Sequence, residues 1–205
     1  SWIRPHVQTG DYESTLQRII AMLFAFDQIA LRKHESVGIR LEDLKDQPKK
    51  TIRSLCAWLG IEETPSLYQM TAQGKKWWGD PTSPDYDAEK AMSPFGKSSV
   101  NRPSGTVFSE KDQFVMRTLF YPFSVRFGYR DPDPTQFQKD LKEIRPLVEG
   151  MLDFEKTLAD RSNIDHAKFK RNASYVLLRA ALLDRWDVLN DFKDYPHMLA
   201  PLTIA

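Results

Sequence analysis

The chain has 205 residues, with 29 Lys and Arg against 28 Asp and Glu, a single cysteine and 41% hydrophobic residues. That size accommodates one ordinary domain, or one domain with a helical appendage, and a net charge of +1 supplies no overall basic field to draw nucleic acid or an acidic membrane. One cysteine, Cys56, excludes an intrachain disulfide and a Cys-based zinc cluster, and no apolar run reaches the ~20 residues of a spanning helix, so a soluble, cytoplasmic protein with no nucleic-acid partner is expected.

The first periodic segment covers residues 12–33. Leu16, Ile19, Ile20, Leu23, Phe24, Phe26 and Ile29 fall mostly at three- and four-residue steps, which predicts a long, largely buried helix. Ser36-Val37-Gly38-Ile39-Arg40-Leu41 alternates apolar with small or charged residues and reads as a short strand. After an acidic turn, Pro48 suits the first turn of a helix, Ile52, Leu55, Cys56 and Leu59 make one apolar face, and Gly60 can take the left-handed conformation that stops it. Residues 36–60 therefore predict a β–α unit and an α/β sheet for this half of the chain.

From 71 to 109 Gly and Pro break every sustained period, yet Trp77, Trp78, Tyr86 and Phe95 are too aromatic a set for a disordered linker. An ordered, functional loop is the reading. Ser109-Glu110-Lys111-Asp112 has the spacing of a helix N-cap with an acid in the first turn. Phe114, Val115, Leu119, Phe120 and Phe123 continue an apolar face, with Pro122 bending or ending that helix before Gly128-Tyr129. Asp131-Pro132-Asp133-Pro134 marks a boundary between a part spanning 1–130 and a helical extension spanning 131–205. In the extension, Phe137, Leu141, Ile144, Leu147, Val148, Met151, Leu152 and Leu158 predict one long helix, kinked if anywhere at Pro146, and residues 175–192 a second.

Familiar catalytic signatures are missing: there is no Gly-x-Ser-x-Gly, no His-Glu-x-x-His and no Gly-rich phosphate loop, and the four histidines stand far apart. Two constellations remain. Arg40-Leu41-Glu42-Asp43-Leu44 with Asp46-Gln47-Pro48 follows the predicted strand, at the edge where α/β sheets gather ligands; its acids equally suit a helix N-terminus. Phe95-Gly96-Lys97-Ser98-Ser99-Val100-Asn101-Arg102 sets two fixed cations beside hydroxyls and an amide. Such a segment is either a solvated polar turn or a cradle for phosphate, with Arg as a bidentate fork.

In this order the segments resemble the C-terminal half of a bacterial-type sulfotransferase that uses 3′-phosphoadenosine 5′-phosphosulfate (PAPS). The family's Arg-Tyr-Glu-Asp-Leu-like motif, its Pro, and its Leu-Cys-x-Phe-Leu-Gly-Ile-like helix are similar to Ile39-Arg40-Leu41-Glu42-Asp43-Leu44, Asp46-Gln47-Pro48 and Leu55-Cys56-Ala57-Trp58-Leu59-Gly60-Ile61. Its Ser-Ser-Val-x-Arg loop, Leu-Ser-x-x-Asp helix and terminal Gly-Tyr resemble Ser98-Ser99-Val100-Asn101-Arg102, Phe108-Ser109-Glu110-Lys111-Asp112 and Gly128-Tyr129. The resemblance covers roughly residues 12–130.

It implies a P-loop-like α/β sheet, here partial and helix-rich, and transfer of a sulfuryl group from PAPS to a hydroxyl or amine acceptor, a small molecule or a glycan, with no metal. It implies also that Lys97, Ser98, Ser99 and Arg102 close over the nucleotide and that Leu41, where relatives carry Tyr, packs against the base. The aromatic Trp77 and Trp78 would line the acceptor pocket or pack onto the core. The 5′-phosphosulfate loop, the general base and the central Arg-Ser pair are not among these residues, so a fragment, inactive or weakly active by itself, is expected, with no catalytic residue assigned. A non-catalytic helical interaction module on an α/β scaffold is the alternative, a P-loop kinase relative a third reading, and the C-terminal helices also offer a route to a homo-oligomer.

Overall fold

A computed structural model describes residues 12–24, 35–69, 71–72, 75–76, 95, 108–190 and 199–205. They are mostly helical, with two two-stranded sheets, a helix-rich α/β composition. The chain divides into two compact units, one of Ser1–Ser36 with Pro103–Ala200, the other of Val37–Arg102 with Pro201–Ala205.

The second unit begins with β1 (Val37–Gly38), and helix α1 of the first unit spans Tyr12–Phe24. The strand anticipated over 36–41 is therefore shorter, because the backbone is already helical at Leu41: α2 (Leu41–Asp46) carries Glu42 and Asp43 in its first turn, where acids complement the positive end of a helix. Helix α3 (Pro48–Leu59) has Pro48 at its start and Gly60 at its end, as its sequence predicts. Gly60 sits at φ 67°, and the Gly60 and Ile61 N–H groups bond Ala57 and Cys56 carbonyls at 3.3 and 3.0 Å. This paired pattern satisfies carbonyls that the helix end would otherwise leave bare.

Buried Thr51 joins the two helices, its Oγ1 lying 2.9 Å from both the Asp43 and the Gln47 carbonyl oxygens. β2 (Thr71–Ala72) and β3 (Lys75–Lys76) pair antiparallel, with Thr71 opposite Lys76. The end of the chain returns to this unit: β4 (Ala200–Pro201) pairs with β1, the Leu202 N–H donates to Gly38 O at 2.8 Å, and the Ala205 N–H to Ser54 Oγ at 3.2 Å.

The first unit is built from α1 together with α4 (Glu110–Leu119), α5 (Tyr121–Arg126), α6 (Pro134–Glu149), α7 (Asp153–Arg161), α8 (His166–Phe169) and α9 (Ala173–Asn190). Leu16, Ile19 and Leu23 of α1, Phe137, Leu141, Ile144 and Val148 of α6, and Leu178, Leu182 and Leu189 of α9 share one core. Their three- and four-residue steps place each set on a single stripe. The helices after residue 134 thus bury their apolar faces against α1 and α4 as well as against each other.

The single long helix expected from 137 to 158 is two helices. Pro146 does not end α6, which runs on to Glu149; the break comes at Gly150, whose backbone is extended. It is fixed from outside. Asp112, fully buried, caps its own helix through the Ser109 N–H at 3.2 Å and also accepts the Asp153 and Phe154 N–H groups, at 2.8 and 2.9 Å, at the start of α7. Ser109 Oγ in turn accepts the Asp112 N–H and donates to Asp153 Oδ2 at 2.8 Å. One carboxylate therefore closes two helix N-termini, each of which would otherwise expose donors with no partner.

Replacing Asp112 should consequently cost more than losing an ordinary cap. Asp112→Ala is expected to destabilise the protein by about 3 kcal/mol, against about 1 kcal/mol for Ser109→Ala, measured by urea denaturation. Equal effects would contradict the double role.

Candidate functional site

Of the residues expected to touch nucleotide or acceptor, Leu41 is described. It is the first residue of α2 and 52% exposed. Arg40 precedes it in extended conformation, with Nε 3.4 Å from Asp43 Oδ2 across the first turn. The segment after β1 therefore presents an accessible apolar side chain beside a guanidinium that is already held by an acid.

A second line of contacts leads from α3 toward the cation-rich segment. Arg53 Nε donates to Glu63 Oε2 at 3.2 Å, and Tyr68 Oη donates to Glu63 Oε1 at 2.6 Å. The Tyr68 bond, and then the Arg53 bond, hold the Glu63 carboxyl below its ordinary range, and the same carboxylate raises the Tyr68 phenol. Tyr68 then meets Phe95 edge to face, ring centroids 6.4 Å apart. Phe95 immediately precedes Gly96-Lys97, so an anchored ring stands at the start of the anticipated phosphate segment. Lys97, Ser98, Ser99 and Arg102 themselves, and Trp77 and Trp78, lie outside the described residues.

The first unit holds a cluster of ionisable groups that sequence reasoning missed. Glu155 is fully buried; Tyr12 Oη donates to its Oε1 at 2.8 Å, while the Leu152 N–H and Arg179 Nη2 donate to its Oε2 at 2.7 and 2.8 Å. Arg179, 7% exposed, also donates through Nη1 to Val148 O at 3.3 Å and to Gly150 O, and its guanidinium lies over the Tyr175 ring, 4.9 Å from the centroid.

Burial raises the Glu155 carboxyl from its ordinary value, while Arg179, the Leu152 N–H and Tyr12 act the other way. Tyr12 is raised by burial and by the neighbouring Glu155 charge. Perturbed groups gathered in this way often mark a reactive site. Here both carboxylate oxygens are hydrogen-bonded and the side chain is closed to solvent, so there is no position for a reacting atom. The cluster positions helices. Its signal in the sequence was faint: a cation and an acid standing among the apolar positions of α9 and α7.

No group of three or more His, Cys, Asp or Glu that could hold a metal occurs among the described residues, nor is any described helix long and apolar enough to cross a membrane. Comparison with protein-family models, with curated proteins and with solved structures yields no significant match to this chain.

Breaking the buried pair from one side leaves a desolvated charge without its partner. Glu155→Ala and Arg179→Ala are each expected to cost about 3–5 kcal/mol, whereas the double variant with both substitutions should cost far less than the two single losses together. A double-mutant cycle in urea checks this; additive losses would show that the two charges act independently.

Proposed function

We propose that this chain is the C-terminal portion of a PAPS-dependent sulfotransferase with a P-loop-like α/β sheet. What carries the reading is the order of motifs in the sequence from Ile39 to Tyr129, three of which have a described local form that suits them. The Leu59-Gly60-Ile61 step has its glycine left-handed, the Ser109–Asp112 step is a capping box, and Gly128, at φ 68°, precedes Tyr129. Leu41 is exposed enough to meet a planar base, and Phe95, which precedes the Lys97–Arg102 segment in the sequence, packs against Tyr68.

In sulfuryl transfer an acceptor oxygen or nitrogen attacks sulfur in line while the bond from sulfur to the phosphate oxygen breaks. Charge accumulates on that departing oxygen, and the acceptor's proton passes to a base. In the proposed role, Lys97, Ser98, Ser99 and Arg102 hold the nucleotide's phosphates by charge-assisted bonds, and Arg102 can engage two oxygens at once. Trp77 and Trp78 would offer the acceptor apolar walls with N–H donors. A non-catalytic interaction module remains the competing reading, favoured by Val176 and Leu177 of α9, which stand 56% and 58% exposed.

Calorimetry with 3′-phosphoadenosine 5′-phosphate separates the two. The proposal expects saturable binding that weakens by about tenfold or more in Arg102→Ala and by a smaller factor in Ser99→Ala. No binding by the folded chain, or tighter binding of ATP than of the 3′-phosphorylated nucleotide, would contradict it.

A further inference from the structure

The first unit contains a half-open cleft of about 530 Å³ formed by α4, α5, the turn after α5, and α6. Its charged lining is Arg117, Arg130 and Asp140. Among the described residues Arg117 has no hydrogen-bond or ion-pair partner, and no carboxylate pairs with Arg130. Elsewhere in the unit, by contrast, Arg145 pairs with Glu149 and Arg179 with Glu155.

Arg130 is also held in place. Its guanidinium lies 4.8 Å from the centroid of Tyr121. Tyr121 is buried, stacked on Phe137 at 4.2 Å, and accepts the Asp133 N–H at 2.6 Å through its hydroxyl. A half-buried cation fixed on a rigid ring loses little freedom when an anion arrives.

The other groups narrow the ligand further. Thr118 and Ser124 spend their hydroxyl protons on the Phe114 and Phe120 carbonyls, at 2.9 and 3.0 Å, so toward the cleft they offer lone pairs. Asp140, which already accepts a bond from Gln136 at 2.7 Å, is likewise an acceptor. Phe114 and exposed Tyr129 supply ring faces. The complement of two cations, several acceptors and two rings is an oxyanion attached to a compact body rich in hydroxyl donors. The volume suits a small ligand.

We propose that this cleft is a binding site for a phosphate or sulfate monoester of a small polyhydroxy compound, with Arg117 and Arg130 on the oxyanion and Asp140, Thr118 and Ser124 accepting from hydroxyls. It rests on residues of the first unit and does not depend on the sulfotransferase reading, with whose motifs it shares Tyr129.

Titration of the chain with glucose 6-phosphate, glucose 6-sulfate and glucose, followed by ligand-observed NMR and calorimetry, tests it. At least one ester should bind saturably at millimolar concentration or below, and glucose should not. Arg117→Ala and Arg130→Ala should each weaken the ester by about tenfold, with Lys142→Ala, on the exposed surface of α6, as the control that retains binding. Arg117 is exposed on its helix, so its variant folds even if loss of Arg130 loosens Tyr121; circular dichroism verifies this. Preference for one ester identifies the oxyanion. Failure of both esters to bind, or binding indifferent to both arginine substitutions, overturns the proposal.

Discussion

A carboxylate taken out of water costs several kcal/mol unless the protein returns what the solvent gave it. Glu155 is fully buried, and the helical unit is arranged around supplying that return. Arg179 reaches it from α9, Tyr12 from α1 and the Leu152 N–H from the start of its own helix. Because the same guanidinium also bonds the Val148 and Gly150 carbonyls, the end of α6 is fixed by the group that neutralises the acid in α7. Hydrophobic burial supplies most of the stabilisation of such a unit, but it has no direction. The charged cluster gives it one, since α1, α6, α7 and α9 each contribute to satisfying Glu155 and Arg179 in this arrangement.

The parts of the fold legible in the sequence are those fixed by neighbours along the chain. Pro48 and Gly60 bound α3, and Ser109 with Asp112 starts α4, because a cap acts over three or four residues. The break at Gly150 was not legible: the apolar repeat continues through Met151 and Leu152, while the start of the next helix is held by Asp112, 41 residues away from the Asp153 N–H it accepts. Glu155 and Arg179 are separated by 24 residues, Tyr12 and Glu155 by 143. No local spacing encodes such partners. A charged residue on an apolar stripe is the trace they leave, and periodicity alone reads it as a surface position.

The candidate site divides along the same line. Leu41 stands exposed at the start of a helix, because α2 replaces the anticipated end of the strand and the acidic turn. The contribution of Phe95 was hidden, because it depends on Tyr68 meeting it from a separate turn, and Tyr68 is itself set by Glu63 and Arg53. In the first unit, a buried arginine held by an acid differs in role from arginines that line a cleft without one. Arg179 is consumed by the fold, whereas Arg117 and Arg130 retain their capacity for an external anion.

The central functional claim is that a 3′-phosphorylated adenine nucleotide is held by the segment from Lys97 to Arg102 with Leu41 against its base. Photolabelling with an 8-azido analogue of 3′-phosphoadenosine 5′-phosphate, followed by mass mapping of the labelled peptides, tests this most directly. The account predicts covalent label on peptides carrying Leu41 or residues 97–102, suppressed by the unlabelled nucleotide. Label confined to the helices of the first unit, or label that the unlabelled nucleotide does not displace, would contradict it.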